Sequence, residues 1–469
     1  MSAFLDGLNN FLVGGIDFLF GPIMLVVFFG TGILMTIVTR GVQFRKFGAA
    51  CREVFGGLKK KTGGGDGTLN PFQALATALS SCVGNGNVVG VATALLTGGP
   101  GAIFWMWVAS IIGMATKYSE IVLAMHFREK DEKGIWRGGV MYILTRGMKD
   151  NWKWLGKILG VVFAVCCILV SYISCDAVQS NTMVGVLGTT IPGIPNWVWG
   201  IIFCALSALV IMGGIKKIGK VCSVLTPVMA ILYVFFGLVI LILNISKVPA
   251  AFASIFAGAF GGKAVFGGIV GITIRTAIQR GVQRGVFSNE AGVGGAPLVH
   301  VTSDIDVPAK QGLYGIVEVF FDTIIICTFT ALIILVSGVG DLVATGEVEA
   351  INSVVSNTAW SLTLGTLGDI VVTVALVLFC FSTIIGWCTY GETAWEYLFG
   401  DKTLIIYRII HLAFTFIGCV LATDLLWNAA DFCNGVMCIP NLFSLILFCG
   451  IIAKDTKKYV DPIKKVKKA

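Results

Sequence analysis

Charged residues are scarce in this chain. Asp, Glu, Lys and Arg make up 13% of its 469 residues, against 56% hydrophobic residues, and the mean hydropathy is +0.88. A water-soluble core cannot hide that much apolar surface. The composition therefore excludes an ordinary soluble domain and predicts a polytopic membrane protein.

Histidine is scarcer still, and cysteine follows no pattern. The three histidines, His126, His300 and His411, lie far apart in the sequence and form no metal-binding cluster with cysteines or acids, which argues against catalytic zinc. The 14 cysteines are scattered, without the repeated spacing of a disulfide framework. We interpret them as small buried thiols.

Nucleotide-binding motifs are incomplete. Residues 214–221 have the spacing of a phosphate-binding loop, but Val221 stands where serine or threonine must bind magnesium. Residues 84–86 resemble the start of a dinucleotide fingerprint, yet no strand is predicted before them and Val89 replaces the third glycine. We therefore expect neither an enzyme nor a catalytic cofactor.

Apolar windows long enough to span a bilayer, on the order of 20 residues each, recur about eleven times. They predict an all-α protein. The first is longer than a signal-peptide core of roughly 7 to 15 residues and lacks a basic flank, so we expect it to be retained. The windows are 16–40, 70–97, 100–127, 158–188, 197–213, 218–245, 268–303, 312–338, 367–397, 403–423 and 432–453.

Lysine and arginine alternate between the loops. They gather at 40–61, 128–157, 216–220 and 454–468, whereas the loop at 340–365 is acidic. Basic loops stay in the cytoplasm, so we expect a multi-pass plasma-membrane protein with its N-terminus outside and its C-terminus inside. The net charge of +8 is then explained by the cytoplasmic face, and we expect no nucleic-acid partner.

Glycine and polar residues interrupt two of the apolar stretches, at 80–87 and 287–295. Backbone polar groups inside a bilayer must be satisfied, so a broken helix persists only where it faces protein or a polar cavity. Such breaks mark transport sites. A rival second break at 266–271 would leave a long mixed segment before the next span, so we favour 288–292.

The two interrupted segments resemble each other, since residues 84–92 align with 288–296. Each copy of the repeat would hold five spans, an odd number, so the second copy must be inverted. We therefore predict a 5+5 inverted repeat with one extra N-terminal helix. The expected parts are an extra helix and cytoplasmic loop at 1–68, a first repeat at 69–250, a second repeat at 251–455 and a basic tail at 456–469.

Two facing breaks suit a zwitterion. Half-helix N-termini attract a carboxylate, whereas C-terminal ends and carbonyls attract an ammonium or a sodium ion. By analogy with leucine-transporting relatives of the neurotransmitter symporters, we expect a small amino acid that moves with a cation.

Five runs of the sequence stand out as motifs. They are Asn-Pro-Phe-Gln-Ala-Leu at 70–75, the glycine-rich 84–92, 98–107, 113–118 and Arg-Gly-Val-Phe-Ser-Asn-Glu-Ala-Gly at 284–292. Together they resemble the alanine or glycine:cation symporter family over almost the whole chain. The resemblance implies a leucine-transporter-type fold and sodium-coupled uptake of alanine or glycine across a prokaryotic plasma membrane. Family members often carry threonine where Asn85 stands, which leaves the role of this side chain open.

Candidate site residues follow from the breaks and from the resemblance. For sodium, the hydroxyls of Ser382 and Thr383 are expected to join carbonyls around Ser81 and Cys82; the alternative is that these hydroxyls bond to the preceding helical turn. Trp387, one turn beyond Thr383, either walls the substrate or packs ordinarily. The predicted substrate residues are Gly84, Asn85, Gly86, Asn87, Gln179, Phe287, Ser288, Asn289, Ala291, Gly292, Thr383 and Trp387.

Membrane-embedded polar residues are functional hypotheses by default. Gln179 ranks as a substrate contact; Asp176, three residues earlier, is less certain because Arg280 or Arg284 is a possible partner for it.

Further acids and bases lie in the third and eighth spans. Lys117 and Glu120 have the spacing of an intrahelical ion pair. Glu318 and Asp322 receive no role.

The sequence thus favours a sodium-coupled symporter for a small neutral amino acid in the lipid bilayer, without an obligate protein partner. A proton-coupled symporter or exchanger using Asp176 or Glu318 is the alternative. An ion channel is the alternative from another class.

Overall fold

The computed structural model describes residues 2–57, 67–261, 273–421 and 424–460, and these are overwhelmingly helical. The predicted all-α class is confirmed; the described strands form one two-stranded hairpin, β1 (Glu129–Lys130) and β2 (Trp136–Arg137). The helices are α1 (Ser2–Leu19), α2 (Pro22–Val38), α3 (Val42–Arg45), α4 (Phe47–Gly57), α5 (Pro71–Cys82), α6 (Val89–Gly98), α7 (Gly101–His126), α8 (Val140–Gly147), α9 (Lys153–Val170), α10 (Val178–Thr190), α11 (Asn196–Ile211), α12 (Gly214–Leu243), α13 (Val248–Ala259), α14 (Ile274–Asn289), α15 (Pro297–His300), α16 (Pro308–Val319), α17 (Thr328–Ser337), α18 (Val339–Thr345), α19 (Asn352–Leu364), α20 (Thr366–Phe399), α21 (Leu404–Val420), α22 (Asp424–Leu447) and α23 (Cys449–Val460).

Seven helical segments in the described part of the chain are long and apolar enough to cross a membrane. An eighth is added when α1 and α2, bent by 45° at their junction, are counted as one span. This establishes a multi-pass membrane protein. The count of about eleven stays a prediction, because the halves of a broken helix are each too short to qualify and α11 has only 16 residues.

The first break begins with a well-capped helix. The Asn70 side chain accepts from the Gln73 backbone N–H at 2.8 Å, and the Gln73 side chain accepts from the Asn70 N–H at 3.1 Å. This capping box, followed by Pro71, starts α5. Helix α5 ends at Cys82, and a 3₁₀ turn over Asn85–Asn87 precedes α6.

The second break lies where the sequence favours it. Helix α14 ends at Asn289, and Glu290 closes it in a left-handed conformation with φ of 56°. Gly292 and Gly294 have φ of 97° and 87°, which glycine alone adopts readily. The helix after the break, α15, is a single turn. The rival break at 266–271 lies outside the described residues.

Two spans contain π-helical stretches that the sequence did not predict. Ser171–Ala177 joins α9 to α10, and Phe320–Cys327 joins α16 to α17. Such widened turns redirect side chains and are frequent at functional sites.

Helix α20 packs closely against α5 because Gly386 has no side chain. A Cβ at Gly386 would lie 2.5 Å from the Ser81 Oγ and 3.1 Å from the Ser81 backbone nitrogen. Small residues let helix backbones approach in this way. The contact brings the middle of α20 beside the first break.

Candidate functional site

A small cavity of about 20 Å³ lies between the two breaks, the first π-helical stretch and α20. It is near the size that one water molecule needs. Its walls come from elements far apart in the sequence. The lining residues are Ser81, Cys82, Gly84, Asn85, Gly86, Ser174, Cys175, Gln179, Phe287, Glu290, Thr383, Trp387 and Asn434.

Gln179 and Asn85 hold the first break against α10. The Gln179 Oε1 accepts from the Asn85 backbone N–H at 3.1 Å, and the Gln179 Nε2 donates to the Asn85 Oδ1 at 2.9 Å. The Asn85 Nδ2 also donates to the Thr182 hydroxyl at 3.2 Å. The side chain at position 85 therefore fastens the irregular backbone to a neighbouring helix.

Two hydroxyls of α20 point at carbonyls of the first break. The Thr383 Oγ1 lies 3.2 Å from the Ser80 carbonyl oxygen and 3.4 Å from that of Val83. The Ser382 Oγ lies 3.3 Å from the Ser80 carbonyl oxygen. Both hydroxyls also donate to the Phe379 carbonyl of the preceding turn, at 3.0 and 2.8 Å. These oxygens are the hard donors that a hard cation prefers.

The carbonyls that reach these hydroxyls differ from those expected. They belong to Ser80 and Val83, on either side of the predicted Ser81 and Cys82. The Ser81 hydroxyl donates to the Thr77 carbonyl at 2.9 Å within its own helix, and the Cys82 thiol lies 3.3 Å from the Glu318 Oε1.

Two aromatic rings form part of the cavity wall. Trp387 is 1% exposed, and its indole nitrogen donates to the Glu290 Oε1 at 2.8 Å. Phe287 covers the first break, since a Cβ at Gly86 would lie 3.3 Å from the Phe287 ring. The two rings therefore limit the size of the ligand that the cavity can hold.

Asn87, Ser288 and Asn289 lie outside the cavity lining, in a network around the second π-helical stretch. The Asp322 carboxylate accepts from the Asn87 amide at 2.7 Å, the Ser288 hydroxyl at 2.6 Å and the Thr323 hydroxyl at 2.9 Å. The Asn289 amide donates to the Thr323 hydroxyl at 3.0 Å. The network joins the two breaks to each other.

Ala291 and Gly292 do not reach the cavity either. They line a separate small void with Phe28 and Leu442. The Gly292 N–H donates to the Glu120 Oε1 at 2.7 Å. Position 292 is thus turned away from the first break.

Sequence reasoning missed four residues of the lining, Ser174, Cys175, Glu290 and Asn434. The first two are exposed to the cavity by the π-helical stretch, which leaves no clear mark in hydropathy. Glu290 had a signal, because a carboxylate inside a membrane segment is costly and is a functional hypothesis by default.

Asp176 does not pair with either of its possible partners in α14. Asp176 is paired with His411 of α21 at 2.8 Å, not with Arg280 or Arg284. Arg284 lies 3.4 Å from Asp431 of α22. Packing of the bundle brings His411 of α21 next to Asp176, and Asp431 of α22 next to Arg284.

Lys117 likewise pairs across the bundle and not along its own helix. Its Nζ lies 3.1 Å from the Glu318 Oε1, and the Glu318 Oε2 lies 3.0 Å from the His300 Nε2. Glu120 instead accepts from the Gly292 backbone and the Asn441 amide. A buried ion needs the partner with the best geometry, and spacing along one helix does not decide which partner that is.

A helical multi-pass protein whose two broken helices enclose a small polar cavity has the organisation of a secondary transporter. The model of the Sodium:alanine symporter family matches residues 6–469. The chain belongs to this family, which is a family of transporters and not of enzymes.

Curated relatives agree over nearly the full length. The sodium/alanine symporter AgcS of Methanococcus maripaludis is 41% identical over 94% of this chain and 95% of its own. The probable sodium/glutamine symporter GlnT of Bacillus subtilis is 35% identical over 94% of this chain and 89% of its own.

A solved structure shares the fold. The crystal structure of MhsT in complex with L-phenylalanine matches with a TM-score of 0.52 at 12% identity, covering 83% of this chain and 96% of that one. At this identity the likeness concerns the fold alone.

Proposed function

We propose that the protein is a sodium-coupled symporter that imports a small neutral amino acid, alanine or glycine, by alternating access. The observation that carries the proposal is the position of Thr383. Its hydroxyl faces two carbonyls of the first break, and the same residue lines the cavity. A cation held there would stabilise the wall that the substrate touches, which is the coupling that a symporter requires.

The proposed sodium ligands are the Thr383 and Ser382 hydroxyls with backbone carbonyls of residues 80–83. The Ser80 and Val83 carbonyls are supported by their distances, and those of Ser81 and Cys82 by the family resemblance. Sodium would bind to these oxygens as cargo. Its binding would replace the contacts of these hydroxyls with the Ser80 and Val83 carbonyls, while both hydroxyls still donate to the Phe379 carbonyl.

A small substrate is favoured by the Phe287 and Trp387 rings in the wall of the cavity, which in this conformation has room for about one water molecule and would have to widen around the substrate. Gly84, Asn85, Gly86, Gln179, Phe287, Thr383 and Trp387 are proposed to contact the substrate directly. The remaining residues of the predicted set, Asn87, Ser288, Asn289, Ala291 and Gly292, are proposed to shape the two breaks. Names of relatives that mention alanine and glutamine agree with a neutral amino acid.

The architecture proposed for this function has about eleven spans, the two broken helices beginning two inverted five-span repeats at 69–250 and 251–455, after an extra helix at 1–68. The protein is proposed to lie in the plasma membrane. Its N-terminus is proposed to lie outside the cell, and its basic tail at 456–469 in the cytoplasm. The corresponding positions of the two breaks support the repeat.

Radiolabelled alanine uptake into proteoliposomes tests the function. An inward sodium gradient should drive accumulation, whereas a potassium gradient or a proton gradient at matched membrane potential should not. Accumulation driven by protons alone would transfer the coupling role to embedded carboxylates. A relative named as a putative sodium/proton-dependent alanine carrier, from Bacillus subtilis and 32% identical, makes that arm of the experiment worthwhile.

A further inference from the structure

Glu290 differs in its setting from the other residues that line the cavity. It is the one acidic side chain among the described lining residues, and it is 5% exposed. It closes α14 in a left-handed conformation that residues with a Cβ rarely adopt. Strained backbone of this kind is frequent at functional sites.

The carboxylate of Glu290 is only half satisfied. Its Oε1 accepts from the Trp387 indole at 2.8 Å, whereas its buried Oε2 has no hydrogen-bond partner among the described residues. Buried carboxylates are normally bonded at both oxygens, and an unpaired one is strongly disfavoured. The Oε2 atom therefore lacks a hydrogen-bond donor or a positively charged partner.

Protein cations near the break have other partners. The Lys117 ammonium lies 3.1 Å from Glu318, which also contacts His300, and Arg284 lies 3.4 Å from Asp431. None of the ion pairs formed by the described residues includes Glu290. A cation that pairs with Glu290 would then come from outside the protein.

We infer that Glu290 binds the ammonium group of the transported amino acid. The C-terminal end of α14 adds a partial negative charge at the same place, and Phe287 and Trp387 line the same cavity. The proposed sodium oxygens belong to Ser80 of α5 and Thr383 of α20, whereas Glu290 follows α14. This inference rests on the proposed function and names the residue that selects amines.

The experiment compares alanine with propionate, which has the same carboxylate and carbon chain but no ammonium group. Full-length wild type and E290Q are purified, and the affinity for each ligand is measured at saturating sodium by calorimetry or by ligand-induced thermal stabilisation. Glu290→Gln should weaken alanine binding by about tenfold or more, as removal of one partner of a buried charge pair does. Propionate binding should stay the same or strengthen, because the neutral amide no longer repels its carboxylate.

The controls separate this role from a structural one. D369N removes a carboxylate from a different cavity, beside α10 and α19, and should leave the ratio of alanine to propionate affinity unchanged. Should E290Q fail to fold, Glu290→Asp withdraws the carboxylate by one methylene, and it should weaken alanine binding while sparing propionate.

Two results would overturn the inference while leaving symport intact. One is an unchanged ratio of alanine to propionate affinity in E290Q, whether or not both affinities fall, and the other is a shift only in the sodium concentration for half-saturation. A wild type that binds no alanine is tested with a panel of amino acids and their des-amino acids. If it binds none of them in sodium, the proposed function itself fails, and this inference with it.

Discussion

Thr383 is the residue at which the proposed sodium site and the substrate cavity meet. Thr383→Val keeps the shape of the side chain but removes the oxygen that faces Ser80 and Val83. A hydrogen bond or ligand contact to a charged group contributes about 1.5–3 kcal/mol, so the sodium concentration for half-maximal uptake should rise by about tenfold or more. Sodium titration of alanine uptake measures this shift.

Thr383→Ser is the matched control for that substitution, since it restores the hydroxyl. It should return sodium dependence to within about threefold of wild type. An unchanged sodium requirement in Thr383→Val would show that the hydroxyl merely bonds to Phe379 of the preceding turn.

Gly84 has room for no side chain. A Cβ at this position would lie 2.6 Å from the Thr383 Oγ1 and 3.2 Å from the Gln179 Oε1. Gly84→Ala should therefore separate the first break from both neighbours and lower uptake by about 100-fold, the effect that a displacement of roughly 1 Å has on a positioned site. Initial rates of alanine uptake, normalised to protein in the membrane, measure the loss.

Gly188 serves as the control for Gly84. It lies in α10 with no atom within 4 Å of a Cβ placed there, so Gly188→Ala should retain uptake. Equal losses in both variants would mean that glycine content, and not the close approach at Gly84, is responsible.

At the scale of elements, Asp322 joins three separate pieces of backbone. Its carboxylate accepts from Asn87 of the first break, Ser288 of α14 and Thr323 of its own π-helical stretch. Asp322→Asn replaces one acceptor oxygen with a donor that faces these donors. Leaving a buried polar group unsatisfied costs about 1–3 kcal/mol, so the melting temperature in detergent should fall, and uptake should fall with it.

The side chain of Asp341 provides a comparison for Asp322. It lies in the first turn of α18, outside the network, and Asp341→Asn should leave the melting temperature within about a degree of wild type. Equal stability of Asp322→Asn and wild type would show that the network does not tie the breaks together.

The helical class and the two breaks were predictable because they depend on local sequence. Long apolar runs predict spans, and glycine beside polar residues predicts interruptions such as those after Cys82 and Asn289. The π-helical stretches were not predictable, since one added residue in a turn hardly changes the pattern of apolar residues in the sequence. Pairings such as Lys117 with Glu318 were also missed, because they depend on how helices far apart in sequence pack.

At the scale of the whole molecule, helix α20 runs from one large cavity, past the small cavity at the breaks, to a second large cavity. Asp369 near its start lines a cavity of about 390 Å³, and Glu396 near its end lines another of about 340 Å³. Thr383 lies 14 residues after Asp369 and 13 before Glu396, or roughly 20 Å from each along a helix that rises 1.5 Å per residue. The candidate site is therefore near the middle of the span, where alternating access requires it.

The proposed orientation assigns these two cavities to opposite sides of the membrane, which surface labelling can test. Glu347 and Glu132 are both exposed, the first between α18 and α19 and the second beside β1. A membrane-impermeant maleimide should label Glu347→Cys in intact cells, but it should label Glu132→Cys only after permeabilisation, because basic loops such as 128–157 stay in the cytoplasm. Wild-type cells give the background from native cysteines. The reverse pattern would place the basic loops outside the cell. It would reverse the proposed orientation of both repeats and the assignment of the two large cavities to the sides of the membrane.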